Sequence, residues 1–212
     1  WPQYVSVATG KNRKERVLEA STILRGALIL SGSVQSLDPG VLENIKRKNV
    51  SVDQIIDLAI EGGKTGANTV TEVILGLPGD SLNSFKATIS RLLEMGFNRV
   101  TIYTLMLLPG SELDERAVRE KFGFQTRFRV VPKCFGYFDY DGSTLCGGEI
   151  EEVVVATDTL SFDDYVTCRI FSLLVETFFS DGFFDLPQKL LKSLGVPLFD
   201  PLKRLYAMDF AP

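Results

Sequence analysis

Polar side chains fall at alternate positions of two apolar segments, and their types could hold a small molecule. Ser33 and Gln35 alternate with apolar or small residues in the first segment, and Glu72 alternates in the same way with Ile74 and Gly76 in the second. Successive side chains of a strand point to opposite faces, so each set would share one face. Hydroxyl, amide and carboxylate groups on an apolar face are typical of a ligand pocket.

The carboxylate of Glu72 has two interpretations. A carboxylate in an apolar strand needs a partner, and such groups often mark functional sites. Glu72 therefore either lines a ligand site or pairs with a buried cation, such as Lys11 or Arg47, purely for structure. The sequence leaves both open.

The chain lacks several residues that common enzyme mechanisms need. It has no histidine, which excludes imidazole as a general base or metal ligand within this chain. Its three cysteines, Cys134, Cys146 and Cys168, match neither a disulfide framework nor a zinc pattern. We expect reduced structural thiols and no metal site.

Composition limits the possible partners and location. With 45% apolar and 24% charged residues among 212, the chain can bury a substantial core. A net charge of −4 and a pI of about 5.0 disfavour nucleic acid binding. No long apolar run or signal sequence indicates a membrane segment or export, so the prediction is a cytoplasmic protein.

A repeated strand, turn and helix pattern predicts how the polar residues are positioned. Residues 71–75 are apolar and β-branched, as in a buried parallel strand, and Pro78 with Gly79 suits a type II turn. Asp80 or Ser81 can then cap a helix. Similar Pro-Gly turns at residues 39–40 and 109–110 recur at roughly the spacing of βα units. The ends of such strands are where α/β folds carry their sites.

This periodicity is lost after residue 123, where we place a boundary between residues 1–123 and 124–212. In the second part we expect strands near 124–131 and 151–156, a turn-rich stretch at 137–144, and helices near 163–180 and 186–194. This α+β extension would cover the first part, with its aromatic side chains serving as core: Phe171, Phe178, Phe179, Phe183 and Phe184.

Four segments occur together in an order and spacing that resembles a known family. They are residues 11–18, residues 33–38 with 45–49, residues 72–79 and residues 107–113, and the likeness extends to residues 151–157 and 163–165. Together they resemble the second half of the radical S-adenosylmethionine (radical SAM) core. The likeness is closest to the radical enzymes that are associated with a cobalamin-binding domain.

The resemblance implies a fold and a set of cofactors. The fold would be a partial, TIM-like βα barrel to which this chain contributes parallel strands three to six. The chain would be the S-adenosylmethionine-binding half of an enzyme of 5′-deoxyadenosyl radical chemistry on an unknown substrate. A [4Fe-4S] cluster would serve the full-length protein, and cobalamin would be held by a separate domain. The family's Cys-x3-Cys-x2-Cys is not in this chain, and we interpret residues 147–149, Gly-Gly-Glu, as a loop, so the chain alone should be inactive.

The resemblance also assigns roles to individual residues. Ser33 and Gln35 would face the ribose or methionine part of S-adenosylmethionine, and Arg47 would reach its carboxylate. Gly76 would leave room for the adenine. The remaining predicted cofactor contacts are Glu72, the apolar walls Ile74 and Leu77, and the backbone at Leu107 and Leu108.

A different class of function stays open, namely a non-catalytic α/β module that binds a small molecule or acts as a scaffold. In either case residues 4–8 form an apolar first strand with no charge, Lys or Pro. An edge of this kind is not protected against pairing. We therefore expect a homo-oligomer formed through the exposed barrel edge, and no nucleic acid or membrane partner.

The dispersed cysteines give the first testable prediction. Purified chain should be colourless after anaerobic reconstitution with iron and sulfide, because Cys134, Cys146 and Cys168 are too far apart in sequence to reach one cluster. Iron analysis and the absorbance near 400 nm measure this. About four irons per chain with a broad absorption band would contradict it.

Overall fold

The structure is a computed structural model that describes residues 5, 14–25, 27–47, 57, 60, 69–180 and 182–208. Apart from a 3-10 turn at Glu112–Asp114, the helices and strands are, in chain order, α1 Lys14–Ile23, β1 Leu30–Ser31, α2 Pro39–Asn44, β2 Thr69–Leu75, α3 Leu82–Glu94, β3 Arg99–Thr104, α4 Arg116–Lys121, β4 Gln125–Tyr140, β5 Ser143–Ala156, α5 Phe162–Phe179, α6 Asp185–Ser193 and α7 Phe199–Ala207.

The first part of the chain forms a parallel sheet in the order β1-β2-β3. Leu30 lies opposite Thr69, and β2 pairs with β3 along its length from Val70 to Leu75. A parallel bridge joins Val5 to Leu28 at the β1 edge, and the other residues of the predicted first strand lie outside the described residues. The predicted α/β organisation is confirmed for these strands, and closure into a partial barrel stays a prediction.

Strand β2 has two unlike faces, as its alternation predicts. Thr71, Val73 and Leu75 are almost completely buried, whereas Glu72 and Ile74 are only half-buried. The buried face shares a core with the apolar stripe of α3: Phe85, Ile89, Leu92 and Leu93. The polar face is therefore turned away from the main core.

The turn after β2 has the predicted type II form. The backbone N–H of Asp80 donates to the carbonyl of Leu77 at 2.9 Å, and Gly79 has a φ of +83°. Ser81 caps α3 by accepting from the backbone N–H of Ser84 at 3.2 Å. The same turn recurs after β3, where Ser111 donates to the carbonyl of Leu108 and Gly110 has a φ of +81°.

The second part of the chain opens with a long antiparallel hairpin of β4 and β5. Two predictions were wrong here. Residues 137–140 and 143–144 are strand and not turn, and the Gly-Gly-Glu of residues 147–149 lies within β5 and not in a loop. The turn is confined to Asp141-Gly142, both at positive φ, and this dipeptide is a strong hairpin signal between aromatic residues.

The extension covers the parallel sheet and shares its core. Helix α5 packs on β3 and α3, and Phe171 and Phe179 are buried as predicted. Phe183 is 84% exposed, so its prediction as core was wrong. The end of β5 also binds the residues that follow β3: the backbone N–H of Val154 donates to the carbonyl of Leu105 at 2.9 Å. The boundary at residue 123 stays a prediction.

Among the described helices, none is both long and apolar enough to cross a membrane.

The two type II turns provide a matched test of local packing. A Cβ at Gly79 would lie 2.6 Å from Nδ2 of Asn44, which donates to the carbonyl of Pro78, whereas a Cβ at Gly110 would meet nothing within 4 Å. Both alanine variants should lose about 1–2 kcal/mol to the left-handed backbone. Gly79→Ala should lose about 1 kcal/mol more, because Asn44 must give up its hydrogen bond. Urea unfolding measures both; equal losses would contradict the clash.

Candidate functional site

The candidate site lies on the less buried face of the parallel sheet, near the carboxyl ends of its strands. Glu72 and Ile74 lie on this face, and their neighbours on β3 are Thr101 and Tyr103. Tyr103 is 51% exposed. The opposite face is sealed by α3 and α5, so this is the face on which a ligand can meet strand side chains.

Ser33, two residues after β1, is joined directly to Glu72 of the neighbouring strand β2. The hydroxyl of Ser33 donates to Oε2 of Glu72 at 2.5 Å. The carbonyl of Glu72 accepts from the backbone N–H groups of Val34 at 3.2 Å and Gln35 at 2.9 Å. Gln35 has a φ of +60°, and its carbonyl accepts from Ile74 at 2.9 Å. The predicted polar residues of the two segments therefore meet.

Arg47 approaches the same pair from the end of α2. Its Nη2 donates to the carbonyl of Ser33 at 3.3 Å, and its buried Nε has no hydrogen-bond partner among the described residues. Burial lowers the pKa of Arg47 from its ordinary value, and the charge of Glu72 opposes that change. A buried guanidinium donor without a partner favours an anionic or carbonyl oxygen beside it.

These contacts bear on both interpretations of Glu72. Arg47 is near enough to act on Glu72 electrostatically, but among the described residues the side chain of Glu72 accepts a hydrogen bond from the hydroxyl of Ser33 and not from Arg47. Lys11, the other predicted cation, lies outside the described residues. The carboxylate keeps oxygen lone pairs that Ser33 does not use, so structural pairing and ligand binding are compatible here.

The apolar members of the predicted site lie in a second, smaller core cluster. Leu77 and Leu107 are buried there together with Val154 of β5. Gly76 has a φ of +88°, and a Cβ there would lie 3.7 Å from the carbonyl oxygen of Val154. The space beside Gly76 is therefore filled by β5, while Leu108 is exposed. Contact of these residues with a cofactor stays a prediction.

An arginine that was not predicted fixes the segment carrying Leu107. Arg119 of α4 donates from Nη1 and Nη2 to the two carboxylate oxygens of Glu152 at 2.8 and 2.7 Å, and Nη2 also reaches Asp114 at 2.5 Å. Thr126 donates to Glu152 at 2.6 Å. The carbonyl of Glu152 in turn accepts from the backbone N–H of Leu107 at 2.9 Å. Arg119 and Glu152 are 33 residues apart, so sequence offers no local signal for this network.

The described residues contain no group of three or more cysteine, aspartate or glutamate side chains arranged to hold a metal ion. The three cysteines are free, and burial raises the pKa of the Cys168 thiol to about 12. Cys168 is thus an inert core thiol. Cys134 and Cys146 lie on the β4–β5 hairpin.

No protein-family model matches the chain. Individual proteins do match. The cobalamin-dependent radical SAM methyltransferase TokK of Streptomyces tokunonensis is 34% identical over 169 residues, which cover 78% of this chain and 24% of TokK. The 2-(S-pantetheinyl)-carbapenam-3-carboxylate methyltransferase of Streptantibioticus cattleyicolor is 33% identical over 171 residues, 79% of this chain and 24% of that protein.

The chain is a homologue of radical SAM enzymes. The resemblance predicted from its motifs is thereby confirmed, including the likeness to cobalamin-associated members, of which TokK is one. The chain spans about a quarter of the length of these two curated relatives.

A solved radical SAM structure also matches in part. The methyltransferase TsrM from Kitasatospora setae, with tryptophan substrate and a SAM analogue bound, is 16% identical and covers 66% of this chain and 25% of TsrM. The TM-score is 0.41.

The Arg119 network predicts a specific acid sensitivity. Hydrogen bonds from Arg119, and then Thr126, hold the pKa of Glu152 at about 2, below its ordinary value of 4.5. A lowered folded-state pKa stabilises the fold above about pH 4.5, and this contribution is lost as the pH falls from 4.5 towards 2. Glu152→Gln should therefore cost about 1.5 kcal/mol at pH 7 and flatten the loss of stability over that window.

Urea midpoints measured from pH 7 to pH 2.5 test this. Glu149→Gln is the matched control, because Glu149 is exposed on the same strand and has no ion pair among the described residues. Parallel pH profiles for wild type and Glu152→Gln would show that the network does not set the acid sensitivity.

Proposed function

We propose that this chain provides the S-adenosylmethionine-binding half of a radical SAM barrel, with its parallel strands as strands three to six. The whole protein would use S-adenosylmethionine and a [4Fe-4S] cluster to generate a 5′-deoxyadenosyl radical. Homology to the radical SAM methyltransferase TokK and to a second methyltransferase, each over more than three quarters of this chain, supports the assignment. The partial barrel belongs to the same proposal, since a parallel sheet with one open polar face is what half of such a barrel requires.

One observation in the site carries the proposal: the buried Nε of Arg47, beside the Ser33 and Glu72 pair, has no hydrogen-bond partner in the part of the chain that the structure describes. The residues fit S-adenosylmethionine. Arg47 would bind the methionine carboxylate, because a guanidinium supplies several donors in a fixed plane. Ser33 and Glu72 would meet the ribose hydroxyls, and the half-buried Ile74 would contact the adenine face.

The roles of these residues are to bind and orient. Glu72 fixes the Ser33 hydroxyl as a donor, which leaves the oxygen of Ser33 free to accept from a sugar hydroxyl. The half-buried sheet face excludes water from one side of the ligand and leaves the other side open to the rest of the protein. The electron transfer chemistry belongs to the cluster and the cofactor.

The [4Fe-4S] cluster does not fit the cysteines of this chain. Cys168 is buried in the main core, while Cys134 and Cys146 lie on the hairpin. We therefore assign the cluster ligands to another part of the whole protein, outside this chain.

Methyl transfer with cobalamin is the reaction class that the relatives suggest. TokK is described as a cobalamin-dependent radical SAM methyltransferase, and the second relative is a methyltransferase of a carbapenam carboxylate. We propose a methyl transfer for the whole protein, with cobalamin held by a separate domain. No residue of this chain is assigned to cobalamin or to the acceptor substrate.

Two ligands that differ in their amino acid portion test the site. S-adenosylmethionine carries a carboxylate that 5′-methylthioadenosine lacks. Arg47→Gln should weaken binding of S-adenosylmethionine about tenfold or more, since a hydrogen bond to a charged group contributes about 1.5–3 kcal/mol. Binding of 5′-methylthioadenosine should not change. Calorimetric titration of this chain measures both.

Lys46→Gln is the matched control, because it removes a neighbouring cation that pairs with Glu112 at the surface. It should leave both affinities unchanged. Equal weakening of both ligands by Arg47→Gln would disprove carboxylate recognition. If the folded chain binds neither ligand, the S-adenosylmethionine site is refuted and the non-catalytic scaffold is favoured.

A further inference from the structure

The segment that follows β3 binds the end of β5 with two backbone hydrogen bonds. The carbonyl of Leu105 accepts from the backbone N–H of Val154 at 2.9 Å. The backbone N–H of Leu107 donates to the carbonyl of Glu152, also at 2.9 Å. Because the carbonyl and the N–H of one trans peptide point in opposite directions, both the N–H and the carbonyl of Met106, which lies between these bonds, point away from β5.

Strand β2 lies on that other side of the segment, but it ends too early to pair with Met106. The backbone N–H of Leu105 donates to the carbonyl of Leu75, the last residue of β2, at 2.9 Å. The chain then leaves the sheet at Gly76, which has a φ of +88°. Within the described residues, neither the N–H nor the carbonyl of Met106 has a hydrogen-bond partner. Met106 is 41% exposed, so this donor and acceptor are open to a ligand at the carboxyl end of the sheet.

A neighbouring N–H and carbonyl are complementary to the edge of a 6-aminopurine. The 6-amino group of adenine donates, and the ring nitrogens on either side of it accept. The backbone that the resemblance assigns to the adenine is already partly occupied. The N–H of Leu107 binds β5, and the carbonyl of Leu108 accepts from Ser111 at 3.0 Å. Met106 is therefore the residue of this segment that can offer both groups together.

Arg119 holds both ends of this segment in place. Glu152, whose carbonyl binds Leu107, accepts two hydrogen bonds from Arg119 through its side chain. At the other end, Nε of Arg119 donates to the carbonyl of Asp114 at 3.0 Å. The carboxylate of Asp114 in turn accepts from the backbone N–H of Gly110 at 3.2 Å. One guanidinium thus joins the start of the segment, through Glu152, to its end at Asp114.

This network lies on the same side of the sheet as the candidate site. Glu152 shares a face of β5 with Val154, because side chains two residues apart on a strand point the same way. Val154 packs in the second core cluster with Ile74 of the open face, whereas its two neighbours on β5 pack in the main core. The side chains of Glu152 and Arg119 are therefore on the side of Ile74.

We propose that Arg119 is a positioning residue for base recognition in the S-adenosylmethionine site. By holding Glu152 and Asp114, it keeps the N–H and the carbonyl of Met106 where they bind a 6-aminopurine and reject a 6-oxopurine. Fixed hydrogen-bonding groups discriminate strongly, because the wrong ligand leaves them unpaired. The role rests on the proposed function, since it requires that the nucleoside lie at the carboxyl end of the sheet.

Two nucleosides with different purine edges test this role. Calorimetric titration of the chain should show that 5′-methylthioadenosine binds about tenfold or more tightly than 5′-methylthioinosine, whose 6-oxo group and N1–H leave the Met106 groups unpaired. Arg119→Met should reduce this preference to about threefold or less, because a displaced segment loses one or both hydrogen bonds. Partial unfolding weakens both affinities by the same factor, so the ratio reports the position of the segment and not stability.

Arg116→Met is the matched control, because Arg116 lies on the same helix and pairs with Glu120 at the surface. It should leave the ratio unchanged. Thr126→Val is a second, milder variant that removes one hydrogen bond to Glu152 and keeps the ion pair with Arg119. It should lower the preference about twofold.

Three outcomes would overturn the role, and they differ in what they leave standing. Equal affinity of the wild-type chain for the two nucleosides would refute base recognition by Met106, while the S-adenosylmethionine site would stand if Arg47→Gln weakens S-adenosylmethionine alone. A preference that both Arg119→Met and Thr126→Val leave unchanged would refute the role of Arg119. If the folded chain binds neither nucleoside, the proposed function fails and this role fails with it.

Discussion

The turn at residues 77–80 is the constraint on which the rest of the structure depends. It joins β2 to α3, and two other parts of the chain bind it. Asn44 of α2 donates to the carbonyl of Pro78 at 3.1 Å, and Thr159 of the extension donates to the carbonyl of Asp80 at 2.6 Å. The carboxylate of Asp80 accepts from Ser84 at 2.7 Å, although burial raises its pKa. These hydrogen bonds fix the turn, and the turn fixes the position of the carboxyl end of β2.

That turn also decides which residues can serve a ligand. Because it fixes the end of β2 against the helices, Glu72 and Ile74 remain on the face that α3 does not cover. Ser33 and Arg47 then complete a polar group in which the buried Nε of Arg47 has no partner among the residues that the structure describes. Leu77 and Leu107 pack around Val154 in the second core cluster, and their contact with a cofactor stays a prediction.

The parts that the sequence predicted are those with a local physical signal. The alternation in β2, the Pro-Gly of the turn and the stripe of α3 each express a fixed backbone geometry within a few residues. Strand alternation predicts which side chains share a face of the sheet, but it does not predict which of them form hydrogen bonds. The bond between Ser33 and Glu72 therefore needed the structure. The position of Arg47 beside this pair depends on the path of the chain after α2, which no local sequence pattern predicts.

The failures have equally physical causes. Arg119 and Glu152 are distant in sequence. They come together because the end of β5 pairs with the residues that follow β3, and this is a tertiary contact that no local pattern predicts. The Asp and Gly residues of 137–144 suggest a broad turn, but a two-residue hairpin turn needs only Asp141 and Gly142, and the flanking residues continue the strands. Phe183 was expected in the core from its aromatic type alone, and a large apolar side chain is not always buried.

Amide hydrogen exchange with and without saturating S-adenosylmethionine tests the central claim most directly, because it reports where on the sheet the ligand is held. The account predicts slower exchange in peptides covering residues 30–36 and 70–77, and no change in residues 133–148 of the hairpin. Unchanged exchange in both sheet peptides while the ligand is bound elsewhere would contradict it.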